Sequence, residues 1–213
     1  MTTVELDTPH GQARAHLQPA DEPIAAMVLG HGAAGGAESK DLVAVTGVVR
    51  SEGVSVALVE QPYRVAGRRS PAPARQLDAA WKAVVEELMG EVFRGLPLIV
   101  GGRSLGARVA CRTAAETDAV AVLCLAFPLQ PPRRSGGSPA PSRLDELDAV
   151  SVPMLVVQGE RDRFGIPPAT ATRTVVRVAG DHRLKTDPGA VGDAVRQWLR
   201  SVVGEAAPAA SRH

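Results

Sequence analysis

Cysteine and aromatic residues are scarce in this sequence, and neither sign of charge dominates it. Two cysteines occur among 213 residues, Cys111 on a predicted helix and Cys124 on a predicted strand. We expect both to be buried free thiols in a reducing compartment, since two such residues form no disulfide framework. The 24 lysines and arginines balance 23 acidic residues to a net charge of +1. Without a basic block, we expect no nucleic-acid partner.

Long apolar runs and a leader-like start are also missing. No apolar run approaches the ~18 residues that a membrane-spanning helix requires, so we expect no membrane partner. Residues 1–7 lack the basic and apolar regions that mark a signal peptide. Together these absences predict a cytoplasmic location.

What the sequence does contain is an alternation of apolar strand patterns with amphipathic helix patterns. Strands are predicted at residues 4–6, 13–17, 24–30, 54–59, 96–100, 120–127, 152–158 and 174–178, and helices at 41–50, 77–89, 107–113 and 191–203. The first two strands have the alternating polarity of an edge hairpin, whereas most later ones are continuously apolar, as in strands buried on both faces. This order predicts an α/β fold with a mostly parallel twisted sheet and helices on both faces.

One domain is predicted to cover residues 1–203, followed by a tail at 204–213 that we expect to be disordered. The hydrophobic content of 45% is enough for a sizeable core. Two predicted loops, 60–74 and 128–143, are rich in proline. The second is too simple in composition for a stable core of its own, so we expect no helical lid and a shallow, open site.

A serine lies at the junction of the strand at 96–100 and the next helix, in the pattern Gly102-x-Ser104-x-Gly106. A serine on so tight a turn adopts a strained backbone conformation, and glycine on either side removes side chains that would collide there. The hydroxyl is then exposed above the end of the sheet. Ser104 is therefore a candidate nucleophile, with an ordinary tight turn as the alternative.

Two further residues follow later strands, Asp162 after residues 152–158 and His182 after 174–178. Loops that follow parallel strands meet in one crevice at their carboxyl ends, so we expect both side chains near Ser104. A serine hydroxyl needs a base to take its proton, and the base needs an acid to orient it. The alternatives for the acid are Asp181, Glu160 and Asp148. Asp162 is favoured because Gly159 lets the chain turn just before it.

An oxyanion formed during acyl transfer needs two preorganised N–H donors. The N–H of Leu105 is one candidate, because it follows the serine at the start of a helix. The loop at 31–36 is expected to supply the other, with Ala33 as first choice and Ala34 as second, since small residues let a backbone approach a substrate closely. An ordinary glycine-rich turn is the alternative. A phosphate-binding loop is disfavoured, because its lysine and hydroxyl are missing.

The chain has two tryptophans, one tyrosine and three phenylalanines. Tyr63, Phe127 and Phe164 lie at or just beyond predicted strand ends and are predicted to wall a substrate pocket, with a role as loop-anchoring core residues as the alternative. Arg103, beside the serine, is predicted to bind substrate together with nearby loop arginines that would attract an anionic one. Those arginines are Arg64, Arg68 and Arg69. Simple solvation of these side chains is the alternative.

These motifs resemble the α/β-hydrolase superfamily, in its compact dienelactone-hydrolase-like branch, and more closely a group of small hydrolases related to testis-expressed protein 30. The matching segments are residues 31–36, 67–69, 102–108, 127–129, 157–162 and 180–182. The resemblance implies an α/β-hydrolase core and a Ser-Asp-His triad at Ser104, Asp162 and His182, without a known substrate. The sequence departs from the group at Leu105, where methionine is common, and at Ala107, where a second glycine is common.

The expected activity is that of a serine hydrolase, without metal or cofactor, that cleaves a small carboxylic ester or thioester through an acyl-enzyme intermediate. A metallohydrolase is disfavoured because the five histidines are scattered along the chain and form no metal-binding pair. The competing class is a non-catalytic scaffold or binding protein of the same fold. We expect a monomer or a homodimer, since apolar residues on the helix at 191–203 would permit an interface.

Overall fold

The computed structural model describes residues 2–33, 35–131 and 141–206. Its strands are β1 (Thr2–Leu6), β2 (Ala13–Gln18), β3 (Ala25–Gly30), β4 (Val54–Glu60), β5 (Leu98–Arg103), β6 (Ala121–Leu125), β7 (Met154–Gly159) and β8 (Arg173–Val178). Its helices are α1 (Lys40–Ser51), α2 (Pro62–Val65), α3 (Ala74–Gly90), α4 (Leu105–Thr113), α5 (Leu144–Asp148) and α6 (Pro188–Ala206), with a 3-10 turn at Ala115–Thr117.

All eight strands belong to one sheet in the order β1-β2-β4-β3-β5-β6-β7-β8. The hairpin β1–β2 lies at one edge and joins β4 in antiparallel orientation. The remaining strand pairs, from β4 to β8, are parallel. The predicted fold class, a mostly parallel sheet with an edge hairpin, is confirmed.

Helices cover both faces of the sheet, and alternate strand residues point to the two sides. On one face, α3 and α4 pack on the sheet through residues such as Trp81 and Val109. On the other face, α1 and α6 pack through residues such as Leu42 and Val195. The strands between them are apolar on both sides, as in β3, in which every residue is buried. Because these strands are parallel, the carboxyl ends of β3, β5, β7 and β8 lie along one edge of the sheet.

The two short helices were not predicted from the sequence. The loop predicted at 60–74 contains the four-residue α2, and the five-residue α5 follows the loop predicted at 128–143. Part of that second loop, 132–140, lies outside the described residues. Between β6 and β7, α5 is the only helix within the described residues, as expected for a fold without a lid.

The last helix continues to Ala206, past the predicted boundary at residue 203. Residues 207–213 of the predicted tail lie outside the described residues. Within the described ranges, none of the helices has the length and apolar character needed to cross a bilayer.

Candidate active site

Ser104 occupies the sharp turn between β5 and α4. Its backbone has φ 51° and ψ −102°, a conformation that an L-residue adopts only under strain. The turn is held by a hydrogen bond from its own N–H to the carbonyl oxygen of Leu125, at 2.9 Å. The predicted strand-to-helix turn is present, and such strain is a feature of exposed nucleophiles on this kind of turn.

Glycines beside the serine let α4 approach the end of β3 closely. A Cβ added to Gly102 or to Gly106 would collide with the carbonyl oxygen of Gly30. The glycine spacing thus serves contact between neighbouring backbones, in addition to relieving crowding within the turn. Gly30 is a partner in this contact that the sequence reasoning did not identify.

His182 lies between Ser104 and Asp162, as the order of the strands predicts. Its Nε2 is 3.0 Å from Oγ of Ser104, and its Nδ1 is 2.8 Å from Oδ2 of Asp162. Both distances are within hydrogen-bonding range, so the imidazole connects the hydroxyl to the carboxylate. The imidazole is also in edge contact with Phe164, with ring centroids 4.5 Å apart.

Asp162 is held more firmly than the other acids considered for this position. Its side chain has no exposed surface, and its Oδ1 accepts the N–H of Phe164 at 2.9 Å. Its Oδ2 also accepts a hydrogen bond from Nε2 of Gln158, at 2.8 Å. Asp181 instead accepts the N–H of Arg183, which lowers the pKa of the Asp181 carboxyl. The structure thus brings Asp162, rather than its neighbours, to the histidine.

The loop after β3 lies against the serine. A Cβ added to Gly32 would be 3.7 Å from Cβ of Ser104, so the following N–H, that of Ala33, belongs to a segment at the reacting centre. The carbonyl oxygen of Ala33 accepts a hydrogen bond from the Tyr63 hydroxyl at 3.1 Å. The N–H of Leu105 opens α4, where helix N–H groups lack intrahelical acceptors. Ala34, the second choice, lies outside the described residues.

His31 anchors the start of this loop. Its Nδ1 is 2.8 Å from the carbonyl oxygen of Gly32, and its Nε2 accepts the N–H of Gln61 at 3.2 Å. The side chain is buried, and burial lowers the pKa of His31. A neutral imidazole that donates through Nδ1 and accepts through Nε2 fits both contacts. The side chain of His31 therefore links the ends of β3 and β4.

The four residues predicted to bind substrate have different surroundings in the structure. Phe164 remains beside the histidine. Tyr63 is buried, and it supports the loop after β3 through its hydroxyl. Arg103 directs its guanidinium at Asp41 and at the backbone of His182. Phe127 has no exposed surface, which makes its prediction as a pocket wall wrong. The left-handed backbone at Ala126 turns the chain, and the Phe127 ring packs in the core beneath α3 and α4.

The remaining predictions concern the two cysteines, the loop arginines and a metal site. Cys111 and Cys124 are free and buried, with their sulfurs 3.4 Å apart. Arg68 lines a cavity of about 370 Å³ between α2 and the β1–β2 turn, together with Tyr63. Attraction of an anionic substrate by the loop arginines stays a prediction. In the described residues, no cluster of three or more histidine, cysteine or acidic side chains is arranged to hold a metal ion.

The chain matches the family described as alpha/beta hydrolase domain over residues 23–206. No curated protein matches it at a significant level. The closer resemblance to the group related to testis-expressed protein 30 stays a prediction.

Several solved structures have the same fold at low sequence identity. Est1E from Butyrivibrio proteoclasticus has a TM-score of 0.77 and 16% identity, covering 95% of this chain and 99% of its own. XC6422 from Xanthomonas campestris, described as a serine hydrolase without a lid, has a TM-score of 0.73 and 18% identity, covering 94% of both chains. Dienelactone hydrolase from Anabaena variabilis has a TM-score of 0.72 and 16% identity, covering 96% of both chains.

Proposed function

The chain belongs to the alpha/beta hydrolase domain family, and we propose that it is a serine hydrolase that cleaves a small carboxylic ester or thioester. One observation carries this proposal: Oγ of Ser104, on its strained turn, is 3.0 Å from Nε2 of His182, whose Nδ1 is 2.8 Å from Asp162. A binding scaffold has no physical need for a nucleophile, a base and an acid in one hydrogen-bonded row.

In the first half of the reaction, Oγ of Ser104 attacks the acyl carbon while Nε2 of His182 takes the hydroxyl proton. The carboxylate of Asp162 orients the imidazole and stabilises its positive charge. The negative charge that develops on the substrate oxygen is stabilised by the N–H groups of Leu105 and Ala33. The bond to the leaving group then breaks, and His182 gives that group the proton.

In the second half, water attacks the acyl-enzyme, and His182 takes a proton from it. Breakdown of the second tetrahedral intermediate returns the proton to Oγ and releases the carboxylic acid. His182 takes and returns one proton in each half-reaction, and the net reaction is hydrolysis of one ester or thioester bond. The residues considered require neither a metal ion nor a cofactor for these steps.

The geometry of the site and the structural neighbours support the proposed ester class. Est1E from Butyrivibrio proteoclasticus has been solved with ferulic acid bound, and another neighbour is a dienelactone hydrolase. The five-residue α5 leaves the described part of the site without a helical cover, which favours small substrates over long lipids. We propose a small-molecule substrate and a cytoplasmic monomer or homodimer, with no nucleic-acid or membrane partner.

A fluorescent fluorophosphonate probe tests the proposal, because it labels activated serines. Wild-type protein should be labelled and Ser104→Ala should not. Ser51→Ala, which changes an exposed serine at the end of α1, should be labelled like the wild type. Absence of labelling in folded wild-type protein would reject the hydrolase and favour the scaffold. Short acyl esters and thioesters, each assayed with Ser104→Ala as the blank, would then identify the acyl group.

A further inference from the structure

Arg103 joins three separate segments of the candidate site through one guanidinium group. Its Nε is 2.5 Å from Oδ2 of Asp41, in the first turn of α1. Its Nη2 donates to the carbonyl oxygen of His182 at 3.0 Å. A Cβ added to Gly32 would be 2.7 Å from Nη1, so the group also lies against the loop after β3. The residue directly before Ser104 thus contacts the segments that carry the base and an oxyanion donor.

Asp41 gives this arrangement a fixed support. Its side chain is 4% exposed, and its Oδ1 accepts the N–H of the next residue, Leu42, at 3.0 Å. A carboxylate in the first turn of a helix is also favoured by the helix dipole. The carboxylate therefore holds the guanidinium in one orientation through Nε, and Nη2 remains available to donate to the carbonyl oxygen of His182.

The hydrogen bond from Arg103 reaches the backbone of the His182 loop at the histidine itself. No other hydrogen bond to the His182 carbonyl occurs in the described part of the chain. The loop has unusual backbone angles on both sides of the histidine, with φ 117° at Gly180 and φ 50° at Leu184. A loop of this kind needs fixed points to hold one conformation. Backbone hydrogen bonds hold Gly180 and Asp181 on the one side of the histidine. At the histidine itself, the imidazole is held through Ser104 and Asp162, and the carbonyl is held by Arg103.

We propose that Arg103 is a positioning residue, which sets the distance between His182 and Ser104 by tying the histidine backbone to Asp41. The inference rests on the proposed hydrolase function and replaces direct substrate binding as the role of this arginine. A planar guanidinium directs separate N–H groups at two acceptors in fixed geometry, whereas a lysine ammonium has no such fork. The residue touches no reacting atom in this role.

The test compares Arg103→Met and Arg103→Lys with wild-type protein, using p-nitrophenyl acetate and the anionic mono-p-nitrophenyl succinate. Because a displacement of about 1 Å in a catalytic group costs ~100-fold in rate, kcat of Arg103→Met should fall by about that factor for both esters. KM should change little for either ester. Arg103→Lys should recover only part of the rate, since it restores the charge without the fork.

Arg112→Met is the matched control. Arg112 is exposed to a similar degree, 17% against 18% for Arg103, and it forms an ion pair with Asp78. Its partners, Asp78 on α3 and Glu146 on α5, form no hydrogen bond with Ser104, Asp162 or His182 in the described part of the chain. This variant should lose stability without loss of kcat. If Arg103→Met does not fold, Asp41→Asn removes the support while leaving the arginine, and kcat should fall in the same direction.

The outcomes separate this inference from the function on which it rests. A KM increase confined to the anionic ester would overturn positioning and restore substrate binding. Equal kcat in Arg103→Met, Arg112→Met and wild-type protein would also overturn it. A wild-type protein that neither reacts with a fluorophosphonate nor cleaves either ester would reject the hydrolase itself, and the positioning role with it.

Discussion

The side-chain amide of Gln158 donates a hydrogen bond to the oxygen of Asp162 that faces His182, at 2.8 Å. Gln158 is the penultimate residue of β7, and its side chain has no exposed surface. The same amide nitrogen contacts the carbonyl oxygens of Phe127 and Gly165, each at 2.9 Å. The rotation of the Asp162 carboxylate is therefore fixed by the strand that precedes it.

Replacing Gln158 should affect both stability and rate. In Gln158→Met, the buried acceptors lose their donor, which costs about 1–3 kcal/mol in the free energy of unfolding. The carboxylate also loses one of the contacts that orient it, so we expect kcat to fall by roughly tenfold to 100-fold. Urea unfolding and steady-state kinetics measure the two effects.

Gln61→Met provides the comparison for Gln158→Met. Gln61 is also buried at the end of a strand, but its side chain donates to the carbonyl oxygen of Leu77, in α3. It should lose stability and keep its kcat. Equal rates for the two variants would show that the amide of Gln158 does not position the acid.

The only tyrosine of the chain allows a direct pKa measurement at the site. Tyr63 is buried, and burial raises its pKa to about 12. Tyrosinate absorbance should therefore rise with a midpoint near that value in folded protein, against about 10 in urea. The folded state keeps the proton to higher pH than the unfolded chain, so stability should decline as pH rises above about 10.

The variant Tyr63→Phe is the control for the tyrosine titration. Tyr63→Phe should abolish the absorbance change, and its kcat should fall by about tenfold, because the Ala33 carbonyl loses its donor. A midpoint near 10 in protein that is still folded, as judged by circular dichroism, would contradict the burial of the Tyr63 hydroxyl.

Much of the sheet could be read from the sequence, because continuous apolar runs mark strands that are buried on both faces. The runs at 24–30 and 152–158 correspond to β3 (Ala25–Gly30) and β7 (Met154–Gly159). Ser104, Asp162 and His182 could be singled out for a related reason: parallel strands place the residues that follow them at one edge. Helices of four or five residues, such as α2 and α5, are too short to show a helical period.

Side-chain direction beyond the strand ends could not be read in this way. Phe127 follows β6 closely, yet one left-handed residue, Ala126, turns its ring into the core. Arg103 meets Asp41 across 62 positions of sequence, and no local pattern predicts such a pair. The amide of Gln158 left a weak signal, a single polar residue at the end of an apolar strand.

The buried side chain of His31, at the start of the loop after β3, should make stability depend on pH. Burial lowers the pKa of His31, so the unfolded chain binds a proton more readily than the folded protein does. The stability that neutral His31 contributes is therefore fully present above its unfolded pKa, about 6.5. It is lost as pH falls toward the lower pKa of His31 in the folded protein. One such group gives a slope of at most about 1.4 kcal/mol per pH unit.

Unfolding free energies of wild-type protein and His31→Gln between pH 8 and pH 5 measure this contribution. The variant should be less stable at pH 8, where it loses packing and hydrogen bonds, and the difference should shrink toward pH 5. A difference that stays constant across the range would mean that His31 does not carry the pH dependence.

Two glycines in helices should respond in opposite ways to substitution by alanine. In Gly106→Ala the added Cβ meets the carbonyl of Gly30, and such overpacking costs about 1–3 kcal/mol. The helix α4 must then shift away from β3, which displaces Ser104 and the N–H of Leu105, so kcat should also fall. Gly47→Ala, within α1, meets nothing within 4 Å and should gain about 1 kcal/mol from helix propensity. Thermal unfolding of both variants, with esterase assays, tests the close contact; a stable and fully active Gly106→Ala would show that the turn tolerates a looser α4.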